Sequence, residues 1–179
     1  MATGLDFFKP SVLTDLSSAS VDANSWVSLT EFRMFEARKV AQLQRRAFRP
    51  PLAYGVTTIL LLWALPKVEI VVARDGERIV GCAIGDCTDG QSRVISICVD
   101  PTARRHGIGR RLLRVLENQL TVGDVVLMVE DANDVAKELY RQEGYASVGV
   151  SQNYYGNGHN GIWMQKSRGG NRSPIKIRF

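Results

Sequence analysis

The chain has 179 residues, 45% of them apolar, and a formal net charge of +5. That length and composition suit one sizeable core and leave no room for a second large domain. Three cysteines, Cys82, Cys87 and Cys98, are odd in number and lack metal-site spacing, so a disulfide scaffold and a cysteine metal site are both excluded, and reduced thiols of a cytoplasmic protein are expected.

Residues 1–10 carry no basic region followed by a long apolar core, so no secretory signal is expected. Residues 1–27, rich in Ser, Ala and Asp without a sustained period, are read as an N-terminal extension. One folded domain is expected over 28–167, with a basic tail over 168–179. Residues 30–35 alternate like a strand, and Ala37, Val40, Ala41, Gln44, Ala47 and Phe48 then follow helical spacing. A more apolar helix is expected over 55–65, buried and flanked by Pro51 and Pro66; its greasy core is about half the ~20 residues needed to span a bilayer.

Residues 68–73 and 78–84 enclose Asp75 and Gly76, which predicts a hairpin with a type I′ turn. A strand at 93–99 precedes a glycine turn, and the helix after it steps through Ile108, Leu112, Leu116 and Leu120. Residues 124–129 form a strand too apolar for a solvated edge, and a short helix at 133–143 stops at Gly144. Strands at 145–154 and 160–167 complete the order β-α-α-β-β-β-α-β-α-β-β, an α/β (α+β) chain with about seven strands and about four helices.

The turn itself is Arg104, Arg105, His106, Gly107, Ile108 and Gly109, followed by Arg110 and Arg111. Glycines there let backbone N–H groups point inwards without a Cβ in the way. The helix start adds unpaired N–H groups and the positive end of its dipole, and the arginines add full charges, which together make a cradle for a pyrophosphate. A P-loop is excluded because Arg110 and Arg111 stand where Lys and Ser/Thr are required, and a Rossmann fingerprint because Leu112 replaces its third small residue.

The turn resembles motif A of the GNAT superfamily of acetyl-CoA-dependent N-acetyltransferases, whose Arg/Gln-x-x-Gly-x-Gly/Ala pattern is matched by Arg104, Gly107 and Gly109. Asn133, Ala136, Leu139, Tyr140, Gly144 and Tyr145 are similar to its motif B. Asn153, Tyr154, Tyr155 and the strand at 162–166 resemble the ribosomal-protein alanine acetyltransferases and their eukaryotic N-terminal acetyltransferase relatives. The resemblance implies a mixed, mostly antiparallel sheet that splays between its fourth and fifth strands, with acetyl-CoA in the opening. It implies backbone contacts from Ile97, Cys98 and Val99, a phosphate cradle from Arg104, Arg105, His106, Gly107, Ile108, Gly109 and Arg110, and further contacts from Asn133, Ala136 and Tyr140. Tyr140 would protonate the CoA sulfur, and Tyr154 and Tyr155 would line the entry of a peptide. No metal is implied.

At the position of the family's proton acceptor, five residues before the motif asparagine, stands Met128, which cannot accept a proton. Glu130 shares the strand face of Met128 and is the nearest replacement, ahead of Asp131, Glu69 and His159. An α-amine with pKa ~7.8 is about a tenth neutral at pH 7, roughly 400 times more than a lysine at ~10.4, so a weak base suffices for an N-terminus where it fails a lysine. The expectation is direct acetyl transfer to a primary amine, foremost a protein or peptide N-terminus such as that of a ribosomal protein. A small-molecule amine acetyltransferase and a CoA-binding regulatory module without catalysis are the alternatives. Neither a membrane nor a nucleic acid is expected as a partner, since no aromatic-interleaved basic stripe exists, and a monomer or homodimer is expected.

Overall fold

A computed structural model describes residues 26–169. The expected extension and tail therefore lie almost wholly outside the described residues. The elements are β1 (Ser28–Glu31), α1 (Ala37–Ala47), α2 (Val56–Ala64), β2 (Val68–Asp75), β3 (Arg78–Thr88), β4 (Gln91–Val99), α3 (Ile108–Gln119), β5 (Val125–Glu130), α4 (Asp134–Gln142), β6 (Ala146–Gly156) and β7 (His159–Lys166), in the expected order. They form one seven-stranded sheet in the order β1-β2-β3-β4-β5-β7-β6. All neighbours are antiparallel except β4 and β5.

Period-two alternation along the central strands feeds two cores. Val71, Ala73, Val80 and Ala83 face α3 with Leu112, Leu113, Leu116 and Leu120, whereas Ile70, Val72, Ile79 and Ile84 face α1 and α2 with Val40, Leu43 and Ile59. Both faces of the sheet middle are covered, which is why these strands read as near-continuous apolar runs.

Several local expectations change. The first strand ends at Glu31, not at residue 35, because the chain turns through a short 3₁₀ segment, Met34–Glu36. Glu36 fixes that turn by accepting from the Arg33 N–H at 2.9 Å and pairing with Arg74, which leaves Met34 and Phe35 exposed. α1 stops at Ala47, and Phe48 is already extended. α2 is not a buried helix: Ile59 is fully covered, but Leu61 is 64% exposed, since a helix apolar on every side still buries one stripe against a sheet.

The Asp75–Gly76 expectation also shifts. Asp75 ends its strand, and the central residues are Gly76 and Glu77, of which Gly76 alone has positive φ (54°), a II′ rather than I′ pattern. Type I′ signatures, positive φ at both centres, occur instead at Asp89–Gly90 between β3 and β4 and at Asn157–Gly158 between β6 and β7.

The feature that positions the site is the divergence of β4 from β5. Their parallel pairing covers Ser92↔Val125, Arg93↔Val126 and Val94↔Leu127 and goes no further. Immediately beyond, β4 carries a bulge at Ile95, where Ile84↔Ser96 and Gly85↔Val94 leave one extra residue. A bulge bends its strand and raises the local twist, so β4 leaves β5 there.

Candidate active site

One wall of the opening is built from β4, α3 and α4. Asp100 anchors the turn that joins β4 to α3. Its N–H donates to Val80 O at 2.8 Å, and its carboxylate accepts from Thr102 N at 3.0 Å, Thr102 Oγ1 at 2.7 Å and Arg78 at 3.0 Å, with Arg46 at 3.2 Å. Burial by itself would raise the Asp100 carboxyl, but these hydrogen bonds and the Arg46 charge outweigh it and hold the group below the usual carboxylate range.

Because amides alternate sides along a strand, Cys98 turns its N–H towards β3 as Asp100 does, while Ile97 and Val99 turn theirs towards the open side left by β5. Of the three residues expected to offer backbone contacts, Ile97 and Val99 thus turn their amides to the opening and Cys98 turns its amide to β3. The Cys98 thiol is buried, which pushes it up to about 12 and leaves it protonated at neutral pH.

Gly107 is the N-cap of α3 at φ 72°, a left-handed conformation that disfavours side chains, and it has no side-chain cap. The first helical bond is Arg111 N to Gly107 O, so the amides of Ile108, Gly109 and Arg110 have no side-chain cap and suit an anion. This turn fits the pyrophosphate of CoA. Ile108 itself is buried and can offer only backbone.

The basic side chains are placed less simply than their sequence suggests. Arg104 ties the turn to its surroundings, donating to Val99 O and Ala47 O at 3.3 Å each. Arg105 is exposed, and His106 packs edge-on against Trp26 at 5.8 Å. Arg110 leans towards α4, with Nε 3.0 Å from Glu143 Oε1 and a bond to Gln142, while Arg111 donates to Val27 O at 3.1 Å.

α4 supplies the floor. Asn133 caps it, accepting from Ala136 N at 3.1 Å, which ties together two of the expected contact residues. Tyr140 is buried and meets Tyr145 edge-to-face at 5.7 Å, and burial pushes its hydroxyl well above the usual tyrosine range. The phenol is held neutral, as a hydrogen-bond donor must be.

The opposite wall comes from the segment between α1 and α2 and from β5, β6 and β7. Leu127 and Val129 face α3 and α4, so Met128 and Glu130 face the other way. Met128 lies over Gly161, where any Cβ would collide with its thioether. Glu130 shares that face as expected, but it is not a free carboxylate: Oε1 lies 2.8 Å from Arg49 and 2.9 Å from His159 Nδ1. Asp131 is tied to Asn160 through N to O at 2.9 Å and Nδ2 to Oδ2 at 3.0 Å. Glu69 lies elsewhere, beside Lys67, Cys87 and Gln119.

Tyr154 and Tyr155 meet edge-to-face at 5.0 Å, and the Tyr155 hydroxyl donates to Met128 O at 3.3 Å. Burial, reinforced by Tyr154 and Glu130, pushes Tyr155 up to about 12. Tyr54 is within electrostatic reach of Tyr154 and Arg93, and burial raises its hydroxyl. Arg93 in turn grips Asp86 through Nε to Oδ1 at 3.1 Å and a second bond at 2.5 Å. Sequence reading missed Arg49, Tyr54, Asp86, Arg93 and Asp100. Only Asp100 carried a local signal, an N-cap residue followed by Pro101.

Comparison with known proteins agrees with this architecture. Residues 66–147 match the Acetyltransferase (GNAT) domain family. The chain is 30% identical to an uncharacterized N-acetyltransferase of Methanocaldococcus jannaschii over 83% of its own length and 97% of that protein's. It is 36% identical to the N-alpha-acetyltransferase RimI of Mycobacterium tuberculosis over 67% of its length and 78% of the relative's. The crystal structure of the ribosomal-protein-S18-alanine N-acetyltransferase of Escherichia coli superposes with a TM-score of 0.72 at 19% identity, covering 86% of this chain and 99% of that one. With the splayed sheet, the uncapped helix start and these relatives in agreement, the chain belongs to the GNAT acetyltransferase family and is an N-acetyltransferase, whose family uses acetyl-CoA.

Proposed function

We propose that the enzyme transfers acetyl from acetyl-CoA to the N-terminal α-amine of a peptide or protein. The observation that carries this reading is the charge balance at the open wall. Its carboxylates Glu130 and Asp86 are matched by Arg49 and Arg93, and Asp131 is engaged by the Asn160 amide, so a polycationic small amine meets no acidic cluster without partners there. The exposed edge of Tyr154, beside Tyr155 and Tyr54, instead offers apolar and hydrogen-bonding surface of the kind an extended peptide uses. The relative named as an N-alpha-acetyltransferase supports the same acceptor class, and the S18-alanine enzyme with the same fold makes a ribosomal protein N-terminus the first one to try.

Acetyl-CoA, when bound, supplies an acetyl group activated as a thioester. The amides of Ile108, Gly109 and Arg110 hold the pyrophosphate. Ile97 and Val99 direct N–H groups at the opening, where one of them polarises the acetyl carbonyl. One preorganised donor of this kind is worth about 10²–10³ in rate. Asn133 and Ala136 border the pantetheine path at the start of α4. Tyr140, kept neutral by burial, donates to the departing sulfur. Tyr154 and Tyr155 flank the incoming chain.

The test is CoA-thiol release across peptides with free N-termini, N-terminally blocked lysine peptides, polyamines and aminoglycosides, with acetyl-CoA binding measured by calorimetry. The expected result is turnover at least about 100-fold higher for a free peptide N-terminus than for a blocked lysine peptide, in line with the difference in neutral amine. Preference for polyamines or aminoglycosides would replace this acceptor by a small amine. Acetyl-CoA binding with no turnover on the whole panel would make the protein a CoA-binding module.

A further inference from the structure

Resting on that reading, we propose that His159, on the β6–β7 hairpin, is the proton acceptor for the amine, and that Glu130 is its positioning residue rather than the base itself. Three observations lead there. Met128 occupies the strand position where the base was sought and packs on Gly161, so that position holds no titratable group. Glu130 has its Oε1 committed to two partners, Arg49 at 2.8 Å and His159 Nδ1 at 2.9 Å, so the oxygen that faces the imidazole is already occupied. The imidazole is 38% exposed in its side chain, so it can be reached from the mouth while its Nδ1 edge is held.

A carboxylate at Nδ1 keeps the ring proton on that nitrogen and leaves the lone pair on Nε2. It also stabilises the imidazolium that forms when Nε2 takes a proton. Glu130 and Ile97, one of the two residues whose amides face the opening, lie on the two strands that part after their last paired rung, Val94↔Leu127. The Glu130–His159 pair thus borders the opening on its β5 side, as Ile97 does on its β4 side.

In the step, the neutral amine nitrogen attacks the thioester carbon, the nitrogen–carbon bond forms and the carbon–sulfur bond breaks. The proton shed by nitrogen goes to His159 Nε2. The electron pair leaves on sulfur, which takes the Tyr140 hydroxyl proton, and Tyr140 is reprotonated from the imidazolium through solvent. The charged groups at this imidazole are Glu130 on β5, which meets its Nδ1, and Arg49 before α2, which shares the same carboxylate oxygen.

The experiment compares wild type, His159→Ala and Glu130→Gln in kcat/KM against pH, on whichever amine the wild type acetylates best. The expected result for His159→Ala is a loss of about 10²–10³-fold with acetyl-CoA affinity unchanged, partly restored by added imidazole. Glu130→Gln is expected to lose about tenfold with acetyl-CoA affinity unchanged, because the imidazole loses the carboxylate that orients its ring. Only two histidines exist in the chain, so the His159 ring-proton signal is assigned by its absence in His159→Ala, and its chemical shift must change in Glu130→Gln. A His159→Ala enzyme within about threefold of wild type, or one not rescued by imidazole, overturns the proposal even if peptides remain the acceptor. The expected loss on an enzyme that acetylates only small amines supports the proton acceptor and overturns the peptide reading instead.

Discussion

The wall of β4, α3 and α4 has its turns and caps set by residues that are neighbours in the chain, as when Asp100 holds Thr102 and Asn133 holds Ala136, with Arg46 and Arg78 bracing Asp100 from further along the chain. The wall across the opening is assembled from afar: Arg49 reaches Glu130 over 81 positions, and Tyr155 reaches the Met128 carbonyl over 27. The cofactor wall is a backbone device, made from amide directions, a left-handed glycine and helix caps. The acceptor wall is a side-chain device, made from ion pairs and stacked tyrosines. A backbone device is bound to turn geometry and tolerates bland side chains. A side-chain device can be retuned one residue at a time, which suits the half of a transferase that selects its acceptor.

Four substitutions probe that contrast. Tyr140→Phe removes the proposed donor to sulfur and is expected to lower kcat about 100-fold while acetyl-CoA affinity by calorimetry stays within about threefold; equal rates would take Tyr140 out of the mechanism. Asp100→Asn weakens the anchor of the cradle and is expected to destabilise by about 2 kcal/mol at pH 7 in urea unfolding, since buried hydrogen bonds to a charged group are lost. The Asp100 carboxyl is depressed in the folded state, so its contribution is present above the ordinary carboxylate pKa and fades as pH falls through the folded value. The deficit of Asp100→Asn should therefore shrink on acidification below about pH 4, and a pH-independent deficit would contradict the assignment. Gly107→Val forces a branched side chain into φ 72°, at about 1–2 kcal/mol, and should weaken acetyl-CoA binding about tenfold. Tyr154→Ala should raise the peptide KM several-fold without changing the KM for acetyl-CoA, because it trims an exposed aromatic contact on the acceptor wall alone.

The same contrast explains what was legible in the sequence. The element order, the apolar steps Ile108, Leu112, Leu116 and Leu120, and the glycine turn were readable because each depends on local periodicity or a local backbone requirement. The start of the short helix at Asn133 was readable for the same reason. Tyr154 and Tyr155 were found by resemblance. Arg49 and Arg93 were not found, because one arginine among many carries no mark of the carboxylate it meets after folding. Glu130 was placed on its strand face by alternation, but its partners were invisible until the β6–β7 hairpin brought His159 to it. The exposure of Leu61 and the early end of β1 were missed because composition says how apolar a segment is and not which side a neighbour covers.

The most direct test of the account is to offer the enzyme acetyl-CoA and a peptide bearing both a free N-terminus and an internal lysine, and to locate the acetyl group by fragment mass spectrometry. Acetyl on the α-nitrogen alone is the predicted result. Acetyl on the lysine ε-nitrogen, with the N-terminus left free, would contradict it.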